Sequence, residues 1–306
     1  MNKQRQSLIK PPRLCPGDVI GIAAPAGPFE IDLFERGVAA IEKMGFEVLV
    51  PAQLQKPTSY LAGSDAHRAS MLNDLLRAQD VHAIVCARGG YGSIRILERI
   101  DFDLLRRNPK VIIGFSDISA ILSALIFQNG LVAYHGPVVT TLGHATSQTR
   151  AAFMDAVASD QALSVKPQKS RVVWPGKATG LVAGGNLTTL CHLLGTPYSP
   201  NFKDCILVME DTGEAPYRID RMLVQMKMAG CLEGVSGIVL GSFKDCGRHE
   251  LIDDIVKHFF SDQKIPVLGG FDIGHGRHNF TIPLGIQATL DTEQGHLQYH
   301  EAATLS

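Results

Sequence analysis

Short, continuously apolar segments alternate with amphipathic segments through the first half of the chain, and this alternation constrains the fold more than any other feature. The apolar segments are VIGIAAP (19–25), FEVLVP (46–51), HAIVCA (82–87) and KVIIGF (110–115). The helix-like segments cover 32–45, 66–78, 94–100 and 117–130. Strands that are apolar along their whole length are typical of a parallel sheet covered by helices on both faces. The sequence therefore predicts an α/β fold for this half.

The second half of the chain has a different and less regular pattern. Residues 146–175 are polar and rich in turn residues, and we interpret them as a crossover between a domain at 1–145 and a domain at 176–306. The second domain carries apolar segments at 205–210 and 237–243 and helix-like segments at 216–230 and 251–260. Residues 286–300 read as a β-hairpin that turns at Gln294 and Gly295.

Composition excludes several classes of partner. The chain has 306 residues with 45% hydrophobic and 19% charged residues, and its formal net charge is -1. This balance gives no electrostatic case for binding nucleic acid or an anionic membrane. No apolar run approaches the roughly 20 residues that span a membrane, and Lys10, Pro11, Pro12 and Arg13 interrupt any signal-peptide core.

The six cysteines support an intracellular setting. They are widely spaced, and they form no C-x-x-C pair. Several lie inside apolar runs, which favours buried free thiols over disulfides. We therefore expect a cytoplasmic protein.

Ser116 follows the strand at 110–115 and precedes a helix-like segment. A serine on such a strand-to-helix turn is exposed at the carboxyl edge of the sheet, and the Asp117 N–H can donate to an oxyanion. The alternative is that Ser116 is only the N-cap of the helix. Ile118 stands where the G-x-S-x-G elbow of α/β-hydrolases has glycine, which counts against an esterase of that class.

A glycine-rich loop, RGGYGS (88–93), follows the third predicted strand. Adjacent glycines let backbone N–H groups approach an anion, so the loop suits an oxyanion or a carboxylate. It departs from the dinucleotide fingerprint because Arg95 stands where the third small residue belongs. A turn imposed by packing is the alternative for this loop.

The second half supplies candidate acids and bases. Glu210 and Asp211 end an apolar segment, and Glu214 follows in the next loop. His275 lies between two glycines, a setting that exposes an imidazole, and His278 follows shortly after it. Metal binding by these histidines is a rival, although no H-E-x-x-H motif or cysteine cluster supplies further ligands.

Taken in chain order, Ser116, Glu210 and His275 have the chemistry of a nucleophile, an acid and a base. A serine hydroxyl is a weak nucleophile unless an imidazole removes its proton, and an anion must orient that imidazole. His135, in YHGP, is a further candidate to line the same cleft.

Nearly the whole chain, from about residue 14 to residue 285, resembles the LD-carboxypeptidase family of serine peptidases. The motifs that carry the resemblance are YLAGSDAHRASMLNDLL (60–76), CARGGYGSIRIL (86–97), GFSDISAIL (114–122), YHGPV (134–138), GGNLTTL (184–190), MEDTGEAPYRIDRML (209–223) and GHGRHNFTIPLG (274–285). The resemblance implies a Rossmann-like N-terminal domain with the nucleophile and a smaller, β-rich C-terminal domain with the acid and base.

The resemblance also implies roles for individual residues. The nucleophile matches Ser116, the base His275 and the acid Glu210, with Glu214 as the competing acid. The oxyanion donors match the backbone N–H groups of Gly90 and Asp117.

The reaction that the family implies uses no metal and no cofactor. Its substrate is the cytoplasmic murein tetrapeptide, from which terminal D-alanine is released, and Arg88 is a candidate to bind the terminal carboxylate. The family also implies a homodimer.

Two further functions remain open from the sequence. One is a hydrolase of the microcin-immunity type within the same family, which would act on an aminoacyl-adenylate-like toxin. The other is a two-lobed ligand-binding module without catalysis, which the absence of an export signal disfavours.

Overall fold

The computed structural model describes residues 9–306, and its first sheet has the parallel order expected for the first half of the chain. In spatial order its strands are β12 (Ile282–Leu284), β5 (Ala133–His135), β4 (Val111–Gly114), β3 (Val81–Cys86), β1 (Val19–Ala23) and β2 (Glu47–Leu49). All neighbours are parallel except β12, which runs antiparallel to β5. Residues 1–8, part of the segment in which we predict no signal peptide, lie outside the described residues.

A second sheet has a parallel centre and antiparallel flanks. In spatial order its strands are β6 (Ser164–Val165), β14 (His296–Tyr299), β13 (Gln287–Asp291), β8 (Lys177–Asn186), β9 (Cys205–Thr212), β10 (Gly237–Lys244), β11 (Val267–Gly269) and β7 (Arg171–Trp174). Strands β8 to β11 are parallel, so their carboxyl ends meet at one edge. The predicted hairpin is confirmed as β13 and β14, with Gly295 in the left-handed region at its turn.

Helices cover both sheets. In chain order they are α1 (Ile31–Lys43), α2 (Asp65–Arg77), α3 (Phe102–Arg107), α4 (Ser119–Asn129), α5 (Val139–Leu142), α6 (Ser147–Val157), α7 (Leu187–His192), α8 (Pro216–Met228) and α9 (His249–Phe259). The segment predicted as a short helix at 94–100 is a 3₁₀ helix, Ser93–Arg99. The helix predicted at 117–130 opens with a separate 3₁₀ turn, Ser116–Ile118, before α4.

The α/β fold class is confirmed, and the two halves of the chain meet closely. Strand β12 comes from the C-terminal part of the chain yet completes the first sheet beside β5. At the start of α4, the Ser119 hydroxyl accepts the Asn186 N–H at 3.0 Å. The residue boundaries that we assign to the two domains stay a prediction.

The cysteines and helices bear on two further expectations. Five cysteines are buried free thiols, as predicted, but Cys15 is an exposed free thiol, so the prediction is wrong for that residue. Cys15 lies at the start of a surface turn, where its N–H donates to Asp18 Oδ2, and not inside an apolar strand. Within residues 9–306, no helix combines the length and apolarity needed to cross a membrane.

Candidate active site

Ser116 lies on a strained turn immediately beyond β4. Its φ is +62°, in the left-handed region that residues with a Cβ rarely adopt. Extended Phe115 occupies the N-cap position of the 3₁₀ turn, and no side chain caps it. The N-cap alternative for Ser116 is therefore wrong. The turn raises the hydroxyl above the carboxyl edge of the first sheet, where ligands gather in open α/β folds.

Glu210 and His275 form a close pair. Glu210 lies near the end of β9 and is fully buried. Its Oε2 lies 2.6 Å from His275 Nδ1 and also accepts the His275 backbone N–H at 3.2 Å. Because a carboxylate only accepts hydrogen bonds, Nδ1 carries the proton and Nε2 is left as the basic nitrogen.

A second imidazole lies on the other side of the Glu210 carboxylate. His135, at the end of β5, is fully buried, and its Nε2 is 3.7 Å from Glu210 Oε1. Neither this oxygen nor either ring nitrogen of His135 has a hydrogen-bond partner within 3.5 Å among the described residues. Burial by itself raises the pKa of Glu210, but the interactions with His135 and His275 outweigh it and lower the pKa to about 2. Glu210 is therefore a carboxylate at neutral pH.

The loop that carries His275 is shaped by its contact with Glu210. Gly274 has a φ of +95°, and a Cβ there would lie 2.2 Å from Glu210 Oε2. The Gly274 N–H donates to Asn279 Oδ1 at 2.8 Å, which closes the loop on itself. The glycine before His275 is thus required by the approach of the acid as well as by the exposure of the imidazole.

Phe115 brings the His275 ring beside the Ser116 turn. The two rings have centroids 4.8 Å apart and are tilted by 58°. No hydrogen bond joins the Ser116 hydroxyl to His275 among residues 9–306. Glu210 and His275 are thus paired in this structure, and His275 packs against the residue that precedes Ser116.

Two backbone N–H groups lie near Ser116 in the chain path, since Gly90 follows Gly89, which contacts Ser116, and Asp117 follows Ser116 directly. Gly90 has a φ of +102°, and neither its N–H nor that of Asp117 donates to another described residue. Gly89 packs against Ser116 so closely that a Cβ at position 89 would lie 2.8 Å from Ser116 Cβ. This close approach explains why the loop begins with two glycines. The arrangement suits an oxyanion held between two N–H groups.

The side chain of Asp117 ties the glycine-rich loop to the Ser116 turn, a contact that the sequence reasoning missed. Its buried Oδ2 accepts the Ser93 N–H at 2.8 Å, and the Ser93 hydroxyl donates to the Asp117 carbonyl at 2.5 Å. Burial raises the pKa of Asp117, and the Ser93 N–H opposes this rise. Ser93 ends the RGGYGS loop and Asp117 follows Ser116, and their spacing in the sequence does not reveal that the two residues pair.

Arg68 holds the same loop from behind and was also missed. Its side chain is fully buried and donates to the carbonyls of Pro25, Gly63 and Gly92, and it pairs with Asp65. A buried guanidinium that donates hydrogen bonds to several backbone carbonyls fixes the path of several loop segments at once.

Other candidate residues have different partners. Glu214 lies 3.4 Å from Arg218 and not against His275. Arg88 is exposed and donates from Nη1 to the Pro28 carbonyl at 2.6 Å. His278 Nδ1 is 2.9 Å from the Thr146 hydroxyl. In the described part of the chain, no group of three or more His, Cys, Asp or Glu side chains could hold a metal ion.

Asp211, directly after Glu210, has a structural place. It is buried, and its carboxylate accepts from Asn186 Nδ2 at 3.0 Å and from both the N–H and the hydroxyl of Thr188. Burial raises the pKa of Asp211 against these hydrogen bonds. Asp211 therefore fixes the start of α7 against β9, which leaves Glu210 alone to face the imidazoles.

Comparison with known proteins places both halves of the chain in one family. Residues 20–136 match the model of the LD-carboxypeptidase N-terminal domain, and residues 179–290 match that of the C-terminal domain. A probable murein peptide carboxypeptidase of Bacillus subtilis is 34% identical, with 93% of this chain and 92% of the relative covered. The murein tetrapeptide carboxypeptidase of Pseudomonas aeruginosa is 33% identical, with 89% and 92% covered.

A solved structure shares the whole fold. The microcin C7 self-immunity protein MccF of Escherichia coli, in complex with aspartyl sulfamoyl adenosine, superimposes with a TM-score of 0.88 at 26% identity. The match covers 97% of this chain and all of that chain.

Proposed function

The chain belongs to the LD-carboxypeptidase family, and we propose that it is a serine carboxypeptidase that releases the terminal D-alanine of murein tetrapeptide. The observation that carries the proposal is the Glu210–His275 pair, which lies beside a serine on a strained turn. Serine hydrolysis needs a base whose tautomer is fixed by an anion and a nucleophile raised from the sheet, and these residues meet both needs.

In the first half of the reaction, His275 Nε2 takes the Ser116 proton as Oγ attacks the carbonyl of the scissile bond. The carbonyl oxygen becomes an oxyanion and accepts the Gly90 and Asp117 N–H groups. His275 then gives the proton to the leaving amine of D-alanine, and the C–N bond breaks to leave an acyl-enzyme on Ser116.

In the second half, a water molecule replaces the amine. His275 takes a proton from the water as its oxygen attacks the ester carbonyl, and the same two amides hold the oxyanion. The Ser116 C–O bond then breaks, Oγ regains its proton from His275, and the shortened peptide leaves as a free acid. Glu210 stays ionised throughout, because its pKa of about 2 keeps it an acceptor for the imidazolium that forms twice.

Two relatives support murein peptide as the substrate: the probable murein peptide carboxypeptidase of Bacillus subtilis and the murein tetrapeptide carboxypeptidase of Pseudomonas aeruginosa. The cut that we propose lies between the L-centre of diaminopimelate and D-alanine in L-Ala-γ-D-Glu-meso-diaminopimelate-D-Ala. Binding of the D-residue after the scissile bond would exclude ordinary peptides by shape. Arg88, the exposed first residue of the glycine-rich loop, stays our candidate for the terminal carboxylate.

The direct test is to incubate the protein with this tetrapeptide and to follow the product by mass spectrometry. We expect loss of one alanine residue and release of free D-alanine. The proposed substrate is wrong if the wild-type protein leaves the tetrapeptide intact, and the proposed nucleophile is wrong if Ser116→Ala still hydrolyses it. Added chelator should leave the rate unchanged.

The shared fold with MccF supports a second candidate, a hydrolase of a toxin in which an amino acid is joined to a nucleotide. The higher identity to the murein enzymes makes it the weaker of the two. An aminoacyl sulfamoyl adenosine discriminates between them: tight binding of this compound without hydrolysis of the tetrapeptide would favour the second candidate.

The same proposal includes a cytoplasmic homodimer. Release of D-alanine from a recycled peptide requires a protein that meets cytoplasmic murein fragments, so the activity should be found in the cytosolic fraction. Sedimentation equilibrium should give twice the chain mass of 33.1 kDa, and a single-chain mass would contradict the dimer.

A further inference from the structure

A cavity of about 260 Å³ opens beside the loop that carries His275, and the proposed mechanism leaves it unused. It lies at the carboxyl ends of β10 and β11, where ligands collect in parallel sheets. Gly276, the residue after His275, forms part of its wall. Gly241, another wall residue, lies so close to Glu210 that a Cβ there would be 3.2 Å from the Glu210 Cβ. The cavity is therefore a neighbour of the acid–base pair.

Asp272 gives the cavity a carboxylate that forms no ion pair with a lysine or arginine among residues 9–306, although His278 and the Gln168 N–H act on it electrostatically. Its Oδ2 is buried without a hydrogen-bond partner among the described residues. A carboxylate in this condition is costly unless a cation reaches it. An ammonium group in the cavity would supply both the charge and the donors.

Arg171 gives the same cavity a positive group with donors to spare. It lies on β7, and it pairs with Asp253 through Nε at 2.8 Å and Nη2 at 3.2 Å. A guanidinium has five N–H donors in a planar fork, and Nη1 donates to no described residue. Arg171 can therefore bind a second carboxylate while it keeps Asp253.

We propose that this cavity binds an α-amino acid head group at the end of the substrate side chain, with its ammonium at Asp272 and its carboxylate at Arg171. The inference rests on the proposed function, because diaminopimelate carries such a head group at the far end of its side chain. Arg171 and Asp272 are then specificity residues, and they distinguish this side chain from one that ends in an amine alone or is fully apolar.

The first test changes the substrate and leaves the protein intact. Three tetrapeptides are compared: the natural one, one in which the side-chain carboxylate is an amide, and one in which the side-chain amine is acetylated. We expect each modification to lower kcat/KM about tenfold or more, since each removes one charged partner from a site built to bind it. Equal kcat/KM for the three peptides would overturn the proposal.

The second test pairs each residue with one chemical group. Arg171→Gln should lower kcat/KM about tenfold for the natural peptide and should have little effect on the amide, which has no carboxylate to lose. Asp272→Asn should lower kcat/KM about tenfold for the natural peptide and should have little effect on the acetylated peptide, which has no ammonium group to lose. Equal losses on all three peptides would mean that the residue acts only through the fold, and would overturn its assigned role.

Lys169→Gln is the matched control. It removes one positive charge two residues from Arg171, at an exposed side chain outside the cavity wall, and we expect the same kcat/KM as wild type for all three peptides.

Binding separates the failure of this inference from failure of the proposed function. Titration calorimetry with Ser116→Ala measures the affinity of the same three intact peptides without hydrolysis. If the wild type cleaves none of them but the natural peptide binds tightest, the proposed reaction is wrong and the head-group site stands. If the tetrapeptide is cleaved and the three affinities are equal, the head-group site is wrong and the reaction stands.

Discussion

Glu210 holds both the ring and the backbone of His275, with one carboxylate oxygen 2.6 Å from Nδ1 and 3.2 Å from the backbone nitrogen. A single buried anion therefore sets the tautomer of the imidazole and the position of the loop that carries it. Because the two contacts share one oxygen, removing the Glu210 carboxylate should disturb the orientation of the His275 ring and the position of its loop together.

Replacement of the nucleophile should abolish turnover. We expect Ser116→Ala to lower kcat by about 10⁴–10⁶, the range for loss of a triad serine, while the affinity for the tetrapeptide is kept. Steady-state kinetics and calorimetry measure the two quantities. Ser123→Ala on α4 is the control, because the buried Ser123 hydroxyl has no hydrogen-bond partner to lose. The activity of this variant should stay near that of the wild type.

Substitution of the two candidate acids, Glu210 and Glu214, should affect kcat to very different extents. Glu210→Gln should lower kcat by about 10³ or more, because the amide cannot stabilise the imidazolium as an anion does. Glu214→Gln should keep kcat within a fewfold range, since this side chain pairs only with Arg218 at the surface. The opposite ranking in a kinetic comparison would assign the acid to Glu214.

Glu210 should also shape the acid limb of the stability curve. Its pKa is about 2 in the folded protein against an ordinary value of 4.5, so folding favours the ionised form. This contribution, about 3 kcal/mol, is present above pH 4.5 and is lost as the pH falls toward 2.

Urea unfolding at a series of pH values measures this effect. Between pH 5 and 3 we expect the free energy of unfolding of the wild type to fall more steeply than that of Glu210→Gln. Parallel curves for the two proteins would show that the pKa of Glu210 is not lowered by folding.

His135 should act as a positioning residue for Glu210. Its Nε2 is 3.7 Å from the Glu210 oxygen that has no other partner, and a small approach makes a hydrogen bond to a charged group. His135→Phe keeps an aromatic ring beside Phe115 and removes this donor, so we expect kcat to fall about tenfold to a hundredfold at unchanged KM. A rise in KM alone would contradict this role. His278→Asn, a change at a histidine outside the Glu210 contacts, is the control.

The Asp117 side chain should hold the glycine-rich loop in place through its hydrogen bond with Ser93. Asp117→Ala removes the acceptor of the Ser93 N–H and should lower kcat about tenfold or more, because Gly90 is then less well placed. Asp117→Asn keeps an acceptor oxygen and should retain most of the rate. Equal losses in the two variants would point to the charge of Asp117 and not to its hydrogen bond.

The fold class could be predicted from the sequence, and the sequence also supplied the candidate reactive groups. Apolar strands between helices specify a covered parallel sheet, because only such a sheet buries both faces of a strand. The family motifs then selected Ser116, Glu210 and His275, which lie far apart in the chain. The spacing of acids in MEDTGE left Glu210 and Glu214 as competitors.

Which side chains contact one another depends on the tertiary structure. The strand end that buries Glu210 faces His275, while the following loop carries Glu214 outward to Arg218, and no local pattern encodes that difference in direction. The φ of Ser116, the Asp117–Ser93 link and the approach of His135 from β5 likewise depend on contacts between distant segments. The sequence cannot show them, because these contacts join segments that are far apart in the chain: Ser93 and Asp117 follow neighbouring strands of the first sheet, and Glu210 and His135 belong to different sheets.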